Sequence, residues 1–163
     1  MDICIVSDLH IDMNNTFIKW DKYPADVLII AGDTANSIGT ASKAINNISK
    51  HYNHIVVVPG NHEHYANSNQ KRTVQDASTR FSELLNNKVS YLPNGPVKIG
   101  DIWFVGNNGW YSFDYNGDPA HNKAVYMGKD SVMNDNRNIG FSAIDQLPPW
   151  ELAIREYDEL NVH

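Results

Sequence analysis

Three segments of this chain share one grammar, and together they limit its fold more than any other feature: "DICIVSDLH", "DVLIIAGDT" and "HIVVVPGNHE" each run through four or five apolar residues into a turn rich in Asp, Asn or His. Short, continuous apolar runs suit strands that are covered on both faces. Between the second and third runs lies "NSIGTASKAINNISKHY", where Ile38, Ala41, Ile45 and Ile48 recur at helical spacing and Asn36 or Ser37 is placed to cap the start. Strand, helix, strand with a crossover of this length predicts a parallel pair and a layered α/β sheet.

A second helix is expected from about Asn69 to Leu85, with Val74, Ala77, Phe81, Leu84 and Leu85 on its apolar face. Beyond it, Gly and Pro punctuate short strands at Val97 to Ile99 and Ile102 to Val105, the pattern of a hairpin. Asp114 to Asn138 is rich in Asn, Gly and Asp and shows no sustained period, which predicts a long loop with one helical turn. "LPPWELAIREYDEL" reads as a helix entered through Pro149.

The 163 residues fit one domain, residues 1–163, and 42% hydrophobic with 20% charged residues describe an ordinary globular chain. Net charge is −6, and the 13 basic residues are scattered, so nucleic-acid binding by charge alone is not indicated. An acidic chain still handles anionic substrates where bound divalent cations invert the local potential. The single cysteine, Cys4, lies inside "ICIV" and reads as a core residue. No charged leader with an apolar core opens the sequence and no run approaches 18 apolar residues, so a cytoplasmic setting without a membrane span is expected.

In open parallel sheets the working crevice lies beyond the carboxyl ends of the strands. Asp8, His10, Asp33, Asn61 and His62 all fall there. Any one of them alone has an ordinary structural explanation as a turn residue; all of them, in order and each just after a strand, favour a site. Carboxylates, an imidazole and an amide oxygen are ligands for Mn, Fe or Zn, and a carboxylate can bridge two ions. Two metals about 3.5–4 Å apart clamp a phosphoryl group and activate water at neutral pH, which is phosphate-ester hydrolysis.

"SDLH", "AGDT" and "PGNHE" resemble the first three motifs of the calcineurin-like metallophosphoesterases, Asp-x-His, Gly-Asp and Gly-Asn-His-Asp/Glu. "WFVGNNGWYSFDY" and "MNDNRNI" are similar to the middle of the smaller, phage- and bacteria-type members. The resemblance implies a layered α/β sandwich and two divalent metal ions, with manganese favoured. It implies that Asp8 and His10 bind the first metal, Asp33 bridges both and Asn61 binds the second. His62 would protonate the leaving group, assisted by Glu63. His64 reads either as a rim residue facing substrate or as a solvated loop residue, with His121 weaker still. Arg137 reads either as a contact to substrate phosphate or as a loop ion pair. His51 and His54 lie at the opposite end of their strand. The segment from Trp110 to Asn138 is the candidate substrate-facing lid.

The family pattern continues with a strand ending in His and a Gly-His-x-His turn, and neither occurs here; after Arg137 the only histidine is His163. The first metal then keeps three protein ligands of four, and the second keeps Asp33 and Asn61. The sandwich is therefore expected to be incomplete, with one face of the parallel sheet bare and covered by a second polypeptide or by a homo-oligomer. Two functions follow: a phosphoesterase completed by another chain, or a non-catalytic scaffold of the same fold that binds or regulates.

Overall fold

The computed structural model describes residues 1–13, 18–65, 74–109, 117, 118, 120–122, 124 and 135–139, with the backbone alone for 136 and 137. Four parallel strands form the central sheet in the order of the sequence: β1 (Ile3–Val6), β2 (Val27–Ala31), β3 (His54–Val58) and β4 (Val89–Tyr91). Ile3 pairs with Val27, Val27 with His54, and Ile55 with Val89, so the carboxyl ends of the first three strands finish side by side. The three apolar runs are thus strands, as the sequence predicts. β4 carries only Val89 and Tyr91 as apolar residues and was not anticipated.

Helix α1 (Ile38–Ile48) starts at Ser37, whose hydroxyl accepts the Thr40 N–H at 3.2 Å; Ser37, not Asn36, is the cap. Its buried stripe of Ile38, Ala41, Ile45 and Ile48 packs on one face of the sheet with Leu28, Ile30, Ile55 and Val57. Helix α2 (Val74–Leu84) adds Ala77 and Phe81 to the same layer. The two helices are tied by Asn46, whose side chain donates to Leu84 O at 2.8 Å and accepts from Asn86 N at 2.9 Å. Residues 69–73 of the expected second helix, and the whole of the expected terminal helix, lie outside the described residues.

The other face of the sheet is covered in part, which corrects the expectation of a bare one. Strands β5 (Val97–Ile99) and β6 (Ile102–Phe104) pair antiparallel as the predicted hairpin. Alternation along a strand turns Val97, Ile99 and Phe104 inward, where they meet Val27, Val56, Leu92, Ile29 and Val58. Among the described residues the hairpin forms a second, two-stranded sheet laid over the centre of the first. At the β1 edge the same face remains open: Ile3 and Ile5, in register with Val27 and Ile29, are 39% and 66% exposed.

Candidate metal centre

Beyond the carboxyl ends of β1 and β2 the two segments continue to pair, with Asp8 N–H donating to Gly32 O at 3.1 Å, His10 N–H to Asp33 O at 3.0 Å and Ile11 N–H to Thr34 O at 3.0 Å. This zipper fixes the first two turn motifs against each other. It also bends the backbone: Asp8, His10 and Asp33 have φ of 54°, 40° and 53°, and they are the non-glycine residues with positive φ among those described. Such backbone costs about 1–3 kcal/mol per residue and persists where the surroundings over-determine it, most often at functional sites.

The third motif closes on the second through close backbone approach. A Cβ on Gly60 would lie 2.0 Å from Asp33 Oδ1, so only glycine admits the carboxylate at that distance. His62 N–H donates to Asp33 Oδ1 at 3.1 Å. Asp33 Oδ2 and Asp8 Oδ1 each lie 4.0 Å from His10 Nε2. Donor atoms of His10, Asp33 and His62 all fall within 4.8 Å of one another. Metal–ligand bonds of about 2.0–2.2 Å span at most about 4.4 Å between two ligand atoms, so a cation at His10 Nε2 is within reach of Asp33 or of Asp8, while the group that closes within 4.8 Å is His10, Asp33 and His62, without Asp8. A carboxylate keeps about four lone-pair directions, so the His62 N–H leaves Asp33 room to bridge. The donor set fits a divalent ion.

His62 sits between two rings, with its centroid 4.5 Å from His10 and 4.5 Å from Tyr65. Its Nδ1 meets Asn36 Oδ1 at 2.5 Å. A carbonyl oxygen only accepts, so Nδ1 carries the proton in that contact and Nε2 is left for the site. Asn36 is held in turn by Asp12, whose carboxylate accepts the Asn36 N–H at 3.0 Å. The sequence reading took Asn36 as a possible helix cap; the signal for its other role was its position three residues after Asp33, on the same turn.

Glu63 ties two turns together through its carboxylate. It is 2% exposed, and its carboxylate accepts four backbone N–H groups: Asp33 at 3.0 Å, Thr34 at 2.5 Å, Ala35 at 3.3 Å and Gly60 at 2.7 Å. These donors come from the turns after β2 and β3, so Glu63 rivets the second motif to the third. Burial pushes its carboxyl above the usual range, against the pull of the N–H groups, and the neighbouring Asp33 charge adds to the rise.

His64 is neither a rim residue nor a solvated one: it is 3% exposed, with Nε2 against Asn108 Nδ2 and Nδ1 without a hydrogen-bond partner. Burial holds it at about 4, with the Asn108 contact opposing. Between pH 6.5 and 4 the unfolded chain therefore binds a proton at His64 that the folded chain refuses, so stability falls as pH falls through that window. At about 1.4 kcal/mol per unit the loss approaches about 3 kcal/mol. Urea unfolding at pH 7 and pH 4.5 is expected to show a smaller difference for His64→Gln than for the parent; equal differences would refute the assignment.

Asn61 opens the 3-10 turn His62–His64, and its Nδ2 donates to Asp135 Oδ1 at 2.7 Å and to the Tyr65 hydroxyl at 3.1 Å. Tyr65 donates to the same Asp135 oxygen at 2.6 Å. Burial first, then Asp135, pushes the Tyr65 hydroxyl well above the usual phenol range. Neither Asp135 nor Tyr65 was singled out from sequence. Arg137 stands in the helical turn Asp135–Asn138, with its side chain outside the described residues, as is most of the expected Trp110–Asn138 lid. His121 is exposed in a helical turn, its N–H donating to Asp118 Oδ1 at 2.9 Å. His51 and His54 are exposed, and His54 begins β3 at the far end from the site.

The strand-end turns of the parallel α/β sheet thus gather His10, Asp33 and His62 into a candidate metal centre. A sequence profile of the calcineurin-like phosphoesterases matches residues 1–150, and the chain belongs to that family. Among curated proteins it is 24% identical over 166 residues to the uncharacterized protein L509 of Acanthamoeba polyphaga mimivirus, covering 93% of this chain and 59% of that one. Among solved structures the fold is shared with the phosphopantetheinyl hydrolase PptH of Mycobacterium tuberculosis, at a TM-score of 0.76 and 16% identity, over 99% of this chain and 62% of that one. The chain thus spans about six tenths of the length of either relative. Among the described residues no helix is long and apolar enough to cross a membrane.

Proposed function

We propose that the chain is a metal-dependent phosphoesterase of the cytoplasm that acts with two divalent ions, manganese by preference, and is completed by a second polypeptide. Asp8, His10 and Asp33 hold the first ion, and Asp33 with Asn61 the second. The observation that carries this reading is the placing of His10 Nε2 4.0 Å from both carboxylates, on backbone held at positive φ at all three residues. The ions, when bound, supply Lewis acidity toward the phosphoryl oxygens and a nucleophilic water at neutral pH. His62, held through Nδ1 by Asn36, would present Nε2 to the leaving oxygen and, from the doubly protonated ring, pass it the Nε2 proton, returning to the neutral Nδ1–H form. Support for a second polypeptide comes from the two-residue protein set at the second ion and from Ile3 and Ile5, exposed where further strands of the covering sheet would lie.

Hydrolysis of an aryl phosphodiester with Mn2+, by the chain alone and mixed with a co-encoded neighbour that carries the Gly-His-x-His turn, tests the proposal. Activity confined to the mixture is expected. Two tightly bound ions per isolated chain would overturn the need for a partner, and inactivity of the mixture toward phosphate esters would favour the scaffold reading. Within an active assembly, His62→Ala is expected to lower turnover by about 10²–10⁴-fold with metal content unchanged. Asn36→Ala is expected to cost less, about 10–100-fold, because the imidazole remains but its tautomer is no longer fixed. Metal loss in either variant would place His62 among the ligands instead.

A further inference from the structure

An asparagine that serves a cation must present its carbonyl oxygen, yet the side-chain amide can turn over and present its NH2 group instead. At Asn61 the surroundings decide between the two. Nδ2 has two acceptors, Asp135 Oδ1 at 2.7 Å and the Tyr65 oxygen at 3.1 Å, and Tyr65 spends its own proton on the same Asp135 oxygen at 2.6 Å. In the reversed orientation Asn61 Oδ1 would face a carboxylate oxygen with no proton between them. Asp135 is 4% exposed, so water would do little to screen that repulsion.

We infer that Asp135, together with Tyr65, is a positioning residue that locks the Asn61 amide with its carbonyl toward the cation site. The inference rests on the reading of Asn61 as a cation ligand and extends the site beyond the three strand-end turns. Asp135 lies 74 residues from Asn61. It is itself anchored by the helical turn it opens, where Ile139 N–H closes on Asp135 O at 2.9 Å and Ile139 is buried. A group fixed in this way orients a ligand as the carboxylates behind metal-bound histidines do, and loss of such outer partners typically costs 10–100-fold in metal affinity.

The test follows the Asn61 side-chain NH2 resonances in the ¹⁵N-labelled protein, identified by their loss in Asn61→Ala, first without metal and then through a Zn2+ titration. Asp135→Ala is expected to move these resonances in the metal-free protein and to raise the Zn2+ concentration at their titration midpoint about 10–100-fold. Tyr65→Phe is expected to have a smaller effect of the same sign. Asp135→Asn, whose amide oxygen still accepts from Asn61, is expected to restore most of the affinity. Unchanged NH2 resonances in Asp135→Ala would overturn the positioning role, as would an Asp135→Asn variant as impaired as Asp135→Ala. A parent chain whose Asn61 resonances ignore Zn2+ would instead overturn the ligand role of Asn61 and the inference with it, leaving the hydrogen-bonded triangle as a structural feature only.

Discussion

Gly60→Ala is expected to cost the protein its metal while leaving the sheet folded. The added methyl would sit 2.0 Å from Asp33 Oδ1, 2.6 Å from Asp33 N and 2.8 Å from Asp33 Cγ. Backbone and a riveted carboxylate cannot give way as the free end of a flexible side chain can, so the turn after β2 or the turn after β3 must move. Overpacking of this sort costs about 1–3 kcal/mol, which a domain of ordinary stability, about 5–15 kcal/mol, survives. The cation does not survive it, because Asp33 faces both proposed ions. Calorimetric titration with Mn2+ is expected to show a loss of about 100-fold or more in affinity, with the far-ultraviolet circular dichroism of the parent retained. Parent-like affinity would mean that the 60–33 approach has no part in holding the ion.

Glu63→Gln is expected to act mainly on the fold. The two carboxylate oxygens share four N–H donors, Oε1 taking Thr34 and Ala35 and Oε2 taking Asp33 and Gly60. A glutamine keeps one oxygen and turns an NH2 group toward the other pair, so two donors lose their acceptor. Each unsatisfied buried group costs about 1–3 kcal/mol, for a total of about 2–6 kcal/mol. With about 2–4 °C of melting temperature per kcal/mol in a chain of this size, the metal-free variant should melt about 10 °C lower than the parent. A variant that melts with the parent, but turns over slowly in an active assembly, would return Glu63 to the role of assistant to His62.

These two substitutions also mark the boundary of what the amino-acid order discloses. The strands β2 and β3 were legible because both their faces are covered, which leaves unbroken apolar runs such as "HIVVV" that polar turns then terminate; β1 carries a run of the same kind although Ile3 and Ile5 on one face are exposed. β4 escaped because three residues with one polar member carry no such run. The placing of Asp8, His10, Asp33 and Asn61 at one edge was legible because parallel register sends β1 to β3 to finish side by side. The supporting residues were less so: Asn36 reaches His62 across 26 positions, hinted at by its place three residues after Asp33, and Asp135 reaches Asn61 across 74, with nothing local to Asp135 to announce a distant partner. The backbone contacts of Glu63 were hidden for a related reason. The family resemblance implied help with proton transfer, whereas the fold turns the carboxylate to main-chain donors that only the folded turns supply.

The unfavourable backbone at Asp8, His10 and Asp33 sets stability and chemistry against each other at three positions. Glycine at any of them would relieve the torsional cost and harden the empty protein, and would remove a proposed donor from the site in the same stroke. Selection for heat resistance alone would therefore erode the centre from within. Effort to strengthen this protein belongs on the solvent side of α2, where no residue is committed to a cation.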